Sequence, residues 1–423
     1  MEAAVRDYVL EWVDRPVETG FGRELVVQRR TDRIVAVTGP RRAGKTYYFL
    51  QLREQDRPNS LYLNFEDIRL SEIDYRQIRD LVRLFVEFTG REPVNILFDE
   101  VQNVQNWERA LRTLLDLRKY HLYVTGSSSK LLAKEISTHL GGRAFSYIFL
   151  PFSFREFLKA EGIDLKRFYT ADEAAVLKNH LETYLQYGGF PEVVLEKSEK
   201  ERILRQYADL ILYKDIVERH GIKNISLANF LLSFFLQNFS REFSVNRIYK
   251  AGHQVKAGKD TVYSYVDKLL DSLAVFFVKR YSLSVYVRET WPRKAYLCDT
   301  GLARLVRFTP DFGRLMENVV FLELLRRTNL DPLLEIYYWS GHGRGEVDFV
   351  LKRGSGVEEL IQVTYASSRD EIDRRELRSL IYAGDVLGCS KFLVVTWDYE
   401  DEFEVGSDVV RCVPLWKWLL GLG

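Results

Sequence analysis

The chain has 423 residues, of which 46% are hydrophobic and 13% aromatic, so it can bury several cores and is not a disordered or fibrous protein. Its 61 Lys and Arg residues balance 60 Asp and Glu residues, which excludes a globally basic nucleic-acid-binding protein and limits any such contact to a local patch. Its three cysteines are far apart, which argues against a disulfide framework or a zinc site and fits a reducing compartment.

The hydropathy of the chain predicts no membrane association. No apolar run approaches the ~18 residues needed to span a bilayer, and the segment 1–15 is too charged for a signal peptide. We therefore expect a cytoplasmic protein. The length favours roughly two to four domains.

The first 150 residues alternate short apolar runs with helix-like stretches. The stretches 46–55 and 106–119 have an apolar spacing near 3.6 residues, which is typical of helices. The predicted strands are IVAVTG (34–39), SLYLNF (60–65), VNILF (94–98), HLYVTG (121–126) and FSYIFL (145–150). This alternation predicts an α/β fold with a parallel, doubly wound sheet.

A phosphate-binding loop is predicted between the first strand and the first of these helices. Residues 39–46 read GPRRAGKT and fit the full P-loop pattern. In such a loop the backbone N–H groups surround a phosphate, Lys45 reaches the β- and γ-phosphates, and the Thr46 hydroxyl ligates Mg²⁺. The alternative is a glycine-containing turn without a ligand. The predicted nucleotide-binding residues are Gly39, Pro40, Arg41, Arg42, Ala43, Gly44, Lys45 and Thr46, with the side chains of Arg41 and Arg42 pointing away from the phosphates.

Two acids end the third predicted strand. In VNILFDE (94–100) an apolar run leads into Asp99 and Glu100. Asp99 is predicted to hold Mg²⁺, and Glu100 to polarise the attacking water as a general base. The alternative is a strand that ends in solvated acids. With a P-loop upstream and one strand between, the pattern favours an ATPase site of the kind that carries its own catalytic glutamate.

Two further polar positions are weaker candidates. Ser127 follows the fourth predicted strand, where it could contact the γ-phosphate or simply cap the next helix. Arg143 precedes the fifth strand, where it could reach the γ-phosphate on a neighbouring subunit or be an ordinary surface arginine. If Arg143 acts in that way, the protein forms a homo-oligomer.

From residue 151 onward the pattern changes three times, at 151, at about 223 and near 296. Residues 151–222 are mostly helical and are broken by YGGFPE (187–192). Short helices follow, and then a predicted strand pair, AVFFVKRYSL (274–283) and VYVRETW (285–291). The rest of the chain contains a helix (313–328), three predicted strands, a charged helix and a further strand.

Several runs together resemble one known family. They are GPRRAGKT, LNFED, LFDEVQNVQNW, VTGSSSKLL, GGRAFSYIFLPFSFREF, YGGFPE, YLCDTGL, MENVVFLELLRR and GEVDFVL. The chain resembles, over about residues 24–400, the prokaryotic and mainly archaeal AAA-type ATPases with a C-terminal restriction-endonuclease-like domain. The resemblance implies ATP, in preference to GTP, and Mg²⁺ as ligands of the loop and of Asp99 and Glu100.

The resemblance also implies the order of the domains. We expect a P-loop core of the ASCE/AAA type (1–150), a helical lid (151–222), a winged-helix segment (223–285) and a PD-(D/E)xK-like, nuclease-like α/β domain (286–423). The winged-helix candidate has a local net charge of +3 over residues 241–260. Its predicted recognition helix, 260–271, carries three aspartates, so DNA binding and protein binding both stay open.

The expected nuclease-like site is incomplete in the sequence. Such a site uses acids from a helix and two strands with a lysine. Glu317 on a predicted helix and Asp348 at the end of a strand-like EVD segment fill two of these positions. Gln362 and Thr364 stand where an acid and the lysine belong, and neither replaces them chemically. Nuclease activity is therefore not expected.

The sequence as a whole predicts a Mg²⁺-dependent ATPase that acts on DNA or a protein client through conformational change. DNA contact would use the winged-helix segment or the C-terminal domain. The alternatives are a slowly hydrolysing, ATP-gated switch that binds DNA, and an ATP-regulated nuclease, which Gln362 and Thr364 disfavour.

Overall fold

A computed structural model of the chain describes residues 3–126, 141–251, 257–307, 309–341, 343–406 and 408–422. The chain divides into two compact units. The first contains residues 1–149 and 271–273, and the second contains residues 150–270 and 274–423. The finer division of the second unit into lid, winged helix and nuclease-like domain stays a prediction.

A five-stranded parallel sheet forms the centre of the first unit. Its strands are β1 (Ile34–Thr38), β2 (Ser60–Asn64), β3 (Asn95–Asp99), β4 (His121–Gly126) and β5 (Ala144–Ile148). The order across the sheet is β2-β3-β4-β1-β5. The strand β4 thus lies between the strand before the P-loop and the strand that ends in Asp99. This sheet confirms the predicted P-loop α/β fold.

Helices cover both faces of this sheet, since the central strands β1 and β3 are buried on both sides. One core contains residues of the amino-terminal helix, such as Tyr8, with Leu81, Phe98 and Leu111. The other core places Phe49 against the opposite face. The helices are α1 (Ala3–Asp14), α2 (Lys45–Glu54), α3 (Ile78–Thr89) and α4 (Trp107–Asp116).

The second unit begins with a helical segment. Ser153 and Thr170 cap two of its helices with reciprocal side-chain and backbone hydrogen bonds, which fixes where these helices begin. The helices are α5 (Phe154–Ala160), α6 (Ala171–Tyr187), α7 (Pro191–Leu195), α8 (Lys200–Leu210) and α9 (Ile225–Gln237), with a π-helical stretch at Ile211–Glu218. The predicted break at YGGFPE is confirmed, since α6 ends at Tyr187 and α7 begins at Pro191.

Three short antiparallel strands and three helices follow. They are β6 (Arg241–Phe243), α10 (Val245–Ala251), α11 (Lys259–Asp271), β7 (Val275–Val278), α12 (Val285–Thr290) and β8 (Arg293–Leu297), with the strands in the order β6-β8-β7. The prediction of a strand at 285–291 is wrong. The Ser284 side chain accepts a hydrogen bond from the Val287 N–H and starts a helix there, so β7 pairs with β8 instead.

A six-stranded mixed sheet forms the rest of the second unit. Its elements are α13 (Phe312–Thr328), β9 (Leu334–Gly341), β10 (Gly345–Arg353), β11 (Gly356–Val363), α14 (Arg374–Leu387), β12 (Phe392–Thr396), β13 (Asp401–Val405), β14 (Asp408–Pro414) and α15 (Leu415–Leu420). The strand order is β13-β14-β12-β11-β10-β9. The sheet is consistent with the predicted α/β domain, and its nuclease-like identity stays a prediction.

Two of the sequence runs meet around one buried carboxylate. The Asp299 side chain accepts hydrogen bonds from the backbone N–H groups of Gly189, at 2.7 Å, and Gly301, at 2.9 Å. A Cβ atom at Gly188 would lie 1.7 Å from an Asp299 oxygen, so only glycine fits. Burial raises the pKa of Asp299 to about 7, against the two N–H groups, which favour the ionised form. The runs YGGFPE and YLCDTGL therefore pack against each other around Asp299.

None of the helices in the described part of the chain combines the length and the apolar character that crossing a membrane requires.

Candidate functional site

The loop after β1 has the backbone that a phosphate-binding loop needs. Gly44 lies in the left-handed region, with φ 94°, directly before α2 begins at Lys45, and glycine adopts this conformation without a Cβ penalty. A Cβ atom at Gly39 would lie 1.9 Å from the Phe149 carbonyl oxygen. Both glycines are therefore required by the backbone. The N–H groups at the start of α2 point into the loop, where they can bind an anion.

The Lys45 ammonium group lies inside this loop. Its Nζ donates hydrogen bonds to the carbonyl oxygens of Gly39, at 3.0 Å, and Pro40, at 3.1 Å, and the residue is only 5% exposed. From outside the loop, the Arg23 guanidinium donates to the Ala43 carbonyl at 2.9 Å. Two cations thus help to hold the loop in its shape.

Asp99, at the end of β3, is a buried carboxylate with a defined set of donors. Tyr62 on β2 donates its hydroxyl proton to Oδ2 at 2.8 Å, and the Thr125 hydroxyl on β4 donates to Oδ1. A hydrogen bond from the Thr46 hydroxyl brings the P-loop side chain to the same carboxylate. Burial raises the pKa of Asp99, while these hydrogen bonds act to lower it.

Glu100 follows in an unusual backbone conformation. Its φ is 51°, in the left-handed region, which is uncommon for a residue other than glycine and costs about 1–3 kcal/mol when the surroundings enforce it. Its backbone N–H donates to the Thr125 Oγ1 at 2.9 Å, and its carboxylate accepts from the Gln102 amide. The turn at Glu100 therefore fixes the direction in which its side chain leaves the sheet.

A third carboxylate lies close to these two. Burial raises the pKa of Glu66, and the negative charge of Glu100 adds to this effect, while Arg41 opposes it. The Arg41 guanidinium lies 3.6 Å from the Glu66 carboxylate. The Arg41 side chain is therefore engaged with the segment after β2.

The side chains around the loop fit a divalent cation beside a phosphate. The hydroxyl of Thr46 and the carboxylates of Asp99 and Glu100 are hard oxygen donors of the kind that Mg²⁺ binds. Burial raises the pKa values of Asp99 and Glu66, and the negative charge of Glu100 adds to both shifts; a cation would relieve this repulsion. The donor set and the Lys45 ammonium group together match a Mg²⁺-nucleotide.

The predicted site residues divide into two groups. The structure brings the loop 39–46, Asp99 and Glu100 together at the carboxyl end of the parallel sheet. Arg143 lies at the opposite end, because the residue after it pairs with Ile34 at the start of β1, and its guanidinium binds the Asp116 carboxylate at 2.7 Å. It is not part of the phosphate site of its own chain. Ser127 lies outside the described residues.

Three contributors to this site were missed by sequence reasoning. Thr125, Tyr62 and Arg23 bind the acids or the loop through tertiary contacts that no local pattern announces. A signal existed only for Thr125, which stands at the end of a predicted strand. The sequence analysis instead predicted Ser127, two residues later, as the polar contact to the phosphate.

Replacing Thr125 by Val tests its role as a connector of the two acids. Thr125→Val keeps the side-chain shape but removes a donor to Asp99 and an acceptor for the Glu100 N–H, both of them buried. We expect the free energy of unfolding to fall by about 1–3 kcal/mol, measured by chemical denaturation. Thr113→Val is the matched control, since the exposed Thr113 hydroxyl binds only a carbonyl of its own helix. An equal loss in the two variants would contradict the assignment.

A second cluster of charged side chains lies in the C-terminal part of the second unit. The Lys294 ammonium group on β8 is within 2.9 Å of the Glu317 carboxylate and 2.8 Å of Asp348, and it also contacts Glu346. The Tyr296 hydroxyl donates to Glu317 at 2.7 Å. Burial acts to lower the pKa of Lys294, but the carboxylates outweigh it and raise that pKa well above its usual value.

This cluster brings together Glu317 and Asp348, as the sequence predicts, but it corrects the predicted position of the lysine. A lysine does reach Glu317 and Asp348, but it comes from β8 and not from position 364. Asp348 does not end a strand as predicted; it lies inside β10, where the pairing with β9 is irregular. Gln362 is also near, and its side-chain oxygen accepts from the Asp348 N–H at 3.4 Å.

The cluster does not fit a divalent metal ion. The ammonium group of Lys294 already lies between the carboxylates that a metal would need, and the nearby Gln362 adds no charge. Within the described ranges, no group of three His, Cys, Asp or Glu side chains has a geometry that could hold a metal. The lysine supplies these three carboxylates with one internal cation.

Family comparisons agree with the observed architecture. A family model described as an AAA domain matches residues 31–158, and two models described as domains of unknown function, DUF8612 and DUF4143, match residues 178–311 and 312–418. The first match confirms the predicted AAA-type core. The other two matches carry no functional description.

Two curated relatives are similar over almost the whole chain. The uncharacterized protein MJ1544 of Methanocaldococcus jannaschii is 33% identical over 412 residues, which cover 95% of this chain and 91% of the relative. An uncharacterized protein of Haemophilus influenzae is 26% identical over 411 residues, which cover 94% of this chain and 97% of the relative.

Two solved structures resemble the chain more distantly. The Walker-type ATPase PabY2304 of Pyrococcus abyssi has a TM-score of 0.43 at 13% identity and covers 65% of this chain and 91% of its own. The RuvB Holliday junction branch migration motor of Thermotoga maritima has a TM-score of 0.28 at 12% identity and covers 59% of this chain and 82% of its own.

Proposed function

The chain belongs to the same family as MJ1544 of Methanocaldococcus jannaschii, and we propose that its AAA domain is an enzyme that binds Mg²⁺-ATP and hydrolyses it. The observation that carries the proposal is one convergence. The loop that requires Gly39 and Gly44 holds Lys45 at the carboxyl end of the parallel sheet. The Thr46 hydroxyl and the carboxylates of Asp99 and Glu100 lie at the same end. Parallel α/β sheets bind their ligands at this edge.

Each side chain has a separate task in the proposed reaction. The N–H groups of the loop and the Lys45 ammonium group bind the β- and γ-phosphates, while Thr46 and Asp99 orient Mg²⁺, which when bound balances phosphate charge. Glu100 accepts a proton from the attacking water. A bond forms between the water oxygen and the γ-phosphorus, the bond to the β–γ bridging oxygen breaks, and ADP and phosphate result.

We place a helical lid at residues 151–222, a winged helix at 223–285 and a nuclease-like fold without nuclease activity at 286–423. Hydrolysis drives a conformational change that alters the binding of DNA or a protein client. The strand and helix order of 225–297 supports the winged helix. Arg143, at the end of the sheet opposite to the phosphate site of its own chain, completes the site of a neighbouring subunit in a homo-oligomer.

Removing the Lys45 ammonium group tests nucleotide binding separately from hydrolysis. In Lys45→Ala we expect the affinity for Mg²⁺-ATP to fall roughly 10- to 150-fold, because charge-assisted hydrogen bonds to phosphate are each worth about 1.5–3 kcal/mol. The affinity is measured by equilibrium titration of the full chain with ATP. Lys119→Ala, an exposed lysine of the same unit, is the control. Equal affinities of wild type and Lys45→Ala would reject the proposed site.

A further inference from the structure

Three aromatic side chains form a group at the carboxyl ends of two neighbouring strands in the second unit. Phe312 is the first residue of α13, Tyr365 follows β11, and Trp397 follows β12 directly. The ring centroids of Phe312 and Tyr365 are 5.5 Å apart with planes at 19°, and those of Tyr365 and Trp397 are 5.4 Å apart. We call these three residues the aromatic platform.

The aromatic platform is open to solvent. Tyr365 is 50% exposed, and Phe312 and Trp397 are partly exposed. Large rings that serve only the core are usually buried, and aromatic side chains that remain accessible can stack on unpaired nucleobases. The half-exposed Tyr365 is therefore the member of the platform best placed to stack on a base.

A cavity of about 270 Å³ lies in the same unit and is lined by three arginines, Arg205, Arg304 and Arg307. Arg304 is fixed by Glu201, at 2.7 Å, and stacks over the Tyr187 ring. Fixed guanidinium groups that line a cavity are suited to an anion, above all to phosphate oxygens.

The cavity has a surplus of positive charge. Arg307 donates to the Gln237 carbonyl and lies 3.3 Å from the Asp311 carboxylate. Arg205 also lines the cavity, and no ion-pair partner for it is found in the described part of the chain. Three arginines thus face two lining carboxylates, Glu201 and Asp311, which leaves a net charge of +1 for a ligand.

The cavity and the aromatic platform adjoin at the start of α13. Asp311 lines the cavity, and Phe312 of the platform is the next residue. Two carboxylates beside the rings are paired, Asp311 with Arg307 and Asp398 with Lys178 at 2.6 Å. These two ion pairs reduce the repulsion that a polyanion running from the cavity onto the rings would meet.

We propose that the arginine cavity and the aromatic platform together form a binding site for single-stranded nucleic acid. A backbone phosphate binds in the cavity, and unpaired bases stack on Tyr365 and its neighbours. A duplex keeps its base faces covered and gains nothing from the rings. By contrast, the aspartates Asp260 and Asp267 on α11 offset its two lysines, Lys259 and Lys268, so this helix has no surplus of positive charge for phosphate.

The test uses the full chain and a fluorescein-labelled twelve-nucleotide oligothymidine, measured by anisotropy at several salt concentrations. We expect the single strand, as DNA or RNA, to bind more tightly than a duplex of the same length. Tyr365→Ala should weaken binding roughly 5- to 150-fold, because stacking on an aromatic side chain is worth about 1–3 kcal/mol per base. Arg205→Ala should also lower the slope of log affinity against log salt by about 0.7.

Matched variants separate this site from general surface effects. Tyr286→Ala removes a more exposed tyrosine elsewhere in the unit, and Arg202→Ala removes an arginine of α8 that does not line the cavity. Both should bind the single strand like the wild type. The proposal is overturned if the wild type shows no preference for single strands, or if Tyr365→Ala and Arg205→Ala bind as the controls do.

Discussion

Glu100→Gln should lower the rate of ATP hydrolysis by about 10²- to 10⁴-fold, the usual contribution of a general base. The affinity for Mg²⁺-ATP should stay within a few-fold of wild type, because the amide keeps the size of the side chain and the P-loop is untouched. The physical reason is the fixed conformation of Glu100. Its left-handed backbone and the hydrogen bond from its N–H group to Thr125 hold the residue in place at the end of β3.

The neighbouring acid provides the decisive comparison. Glu66 lies close enough for the charge of Glu100 to raise its pKa, and it could be mistaken for the base. We expect Glu66→Gln to keep most of the turnover, measured as phosphate release under saturating Mg²⁺-ATP. A Glu100→Gln variant that hydrolyses ATP at more than a third of the wild-type rate, or a loss confined to Glu66→Gln, would remove Glu100 from its assigned role.

Lys294→Met should lower the free energy of unfolding by about 3–5 kcal/mol, the cost of removing one partner from a buried ion cluster. The ammonium group is 2% exposed and lies between Glu317, Glu346 and Asp348. Without it, these carboxylates face one another with no counter-charge. The loss is measured by urea denaturation monitored by circular dichroism.

A surface lysine serves as the control for this change. Lys279→Met breaks a pair with Glu289 in which both side chains are well exposed, and pairs of this kind contribute about 0–1 kcal/mol. Adding Glu317→Gln and Asp348→Asn to Lys294→Met should recover part of the lost stability, because the repulsion is removed. If Lys294→Met costs no more than Lys279→Met, the lysine is not the counter-charge of the cluster.

The nucleotide site could be predicted largely because its chemistry is local in sequence. The loop 39–46 has a fixed spacing, and the acids at 99 and 100 follow an apolar strand. The contacts that hold these parts together are not local. Tyr62 and Thr125 reach Asp99 across the sheet, and the strand order that brings them there is set by packing of the whole unit.

The C-terminal cluster shows the opposite case. The sequence identified Glu317 and Asp348, but it placed the missing lysine by spacing along one strand. The structure supplies Lys294 from β8, which lies 54 positions before Asp348 in the chain. No periodicity connects residues so far apart, so only the fold reveals that the acids already have a cation.

Local propensity also failed at two elements of the second unit. The β-branched residues of 285–291 favoured a strand, but the capping hydrogen bond of Ser284 produces the helix α12. The hairpin of β13 and β14 was not predicted, because residues 401–414 mix acids, a glycine and short apolar runs. Its position at the edge of the sheet explains this composition, since an edge strand is buried on fewer sides.

Phosphate release from ATP by the wild-type chain, with Mg²⁺ and with a chelator, tests the central claim most directly. It should be followed over a wide range of protein concentration, because a site completed by Arg143 of a neighbouring subunit needs assembly. We predict repeated turnover that requires Mg²⁺ and rises per chain with concentration. A chain that binds Mg²⁺-ATP yet releases no phosphate at any concentration would contradict the assignment of this protein as an ATPase.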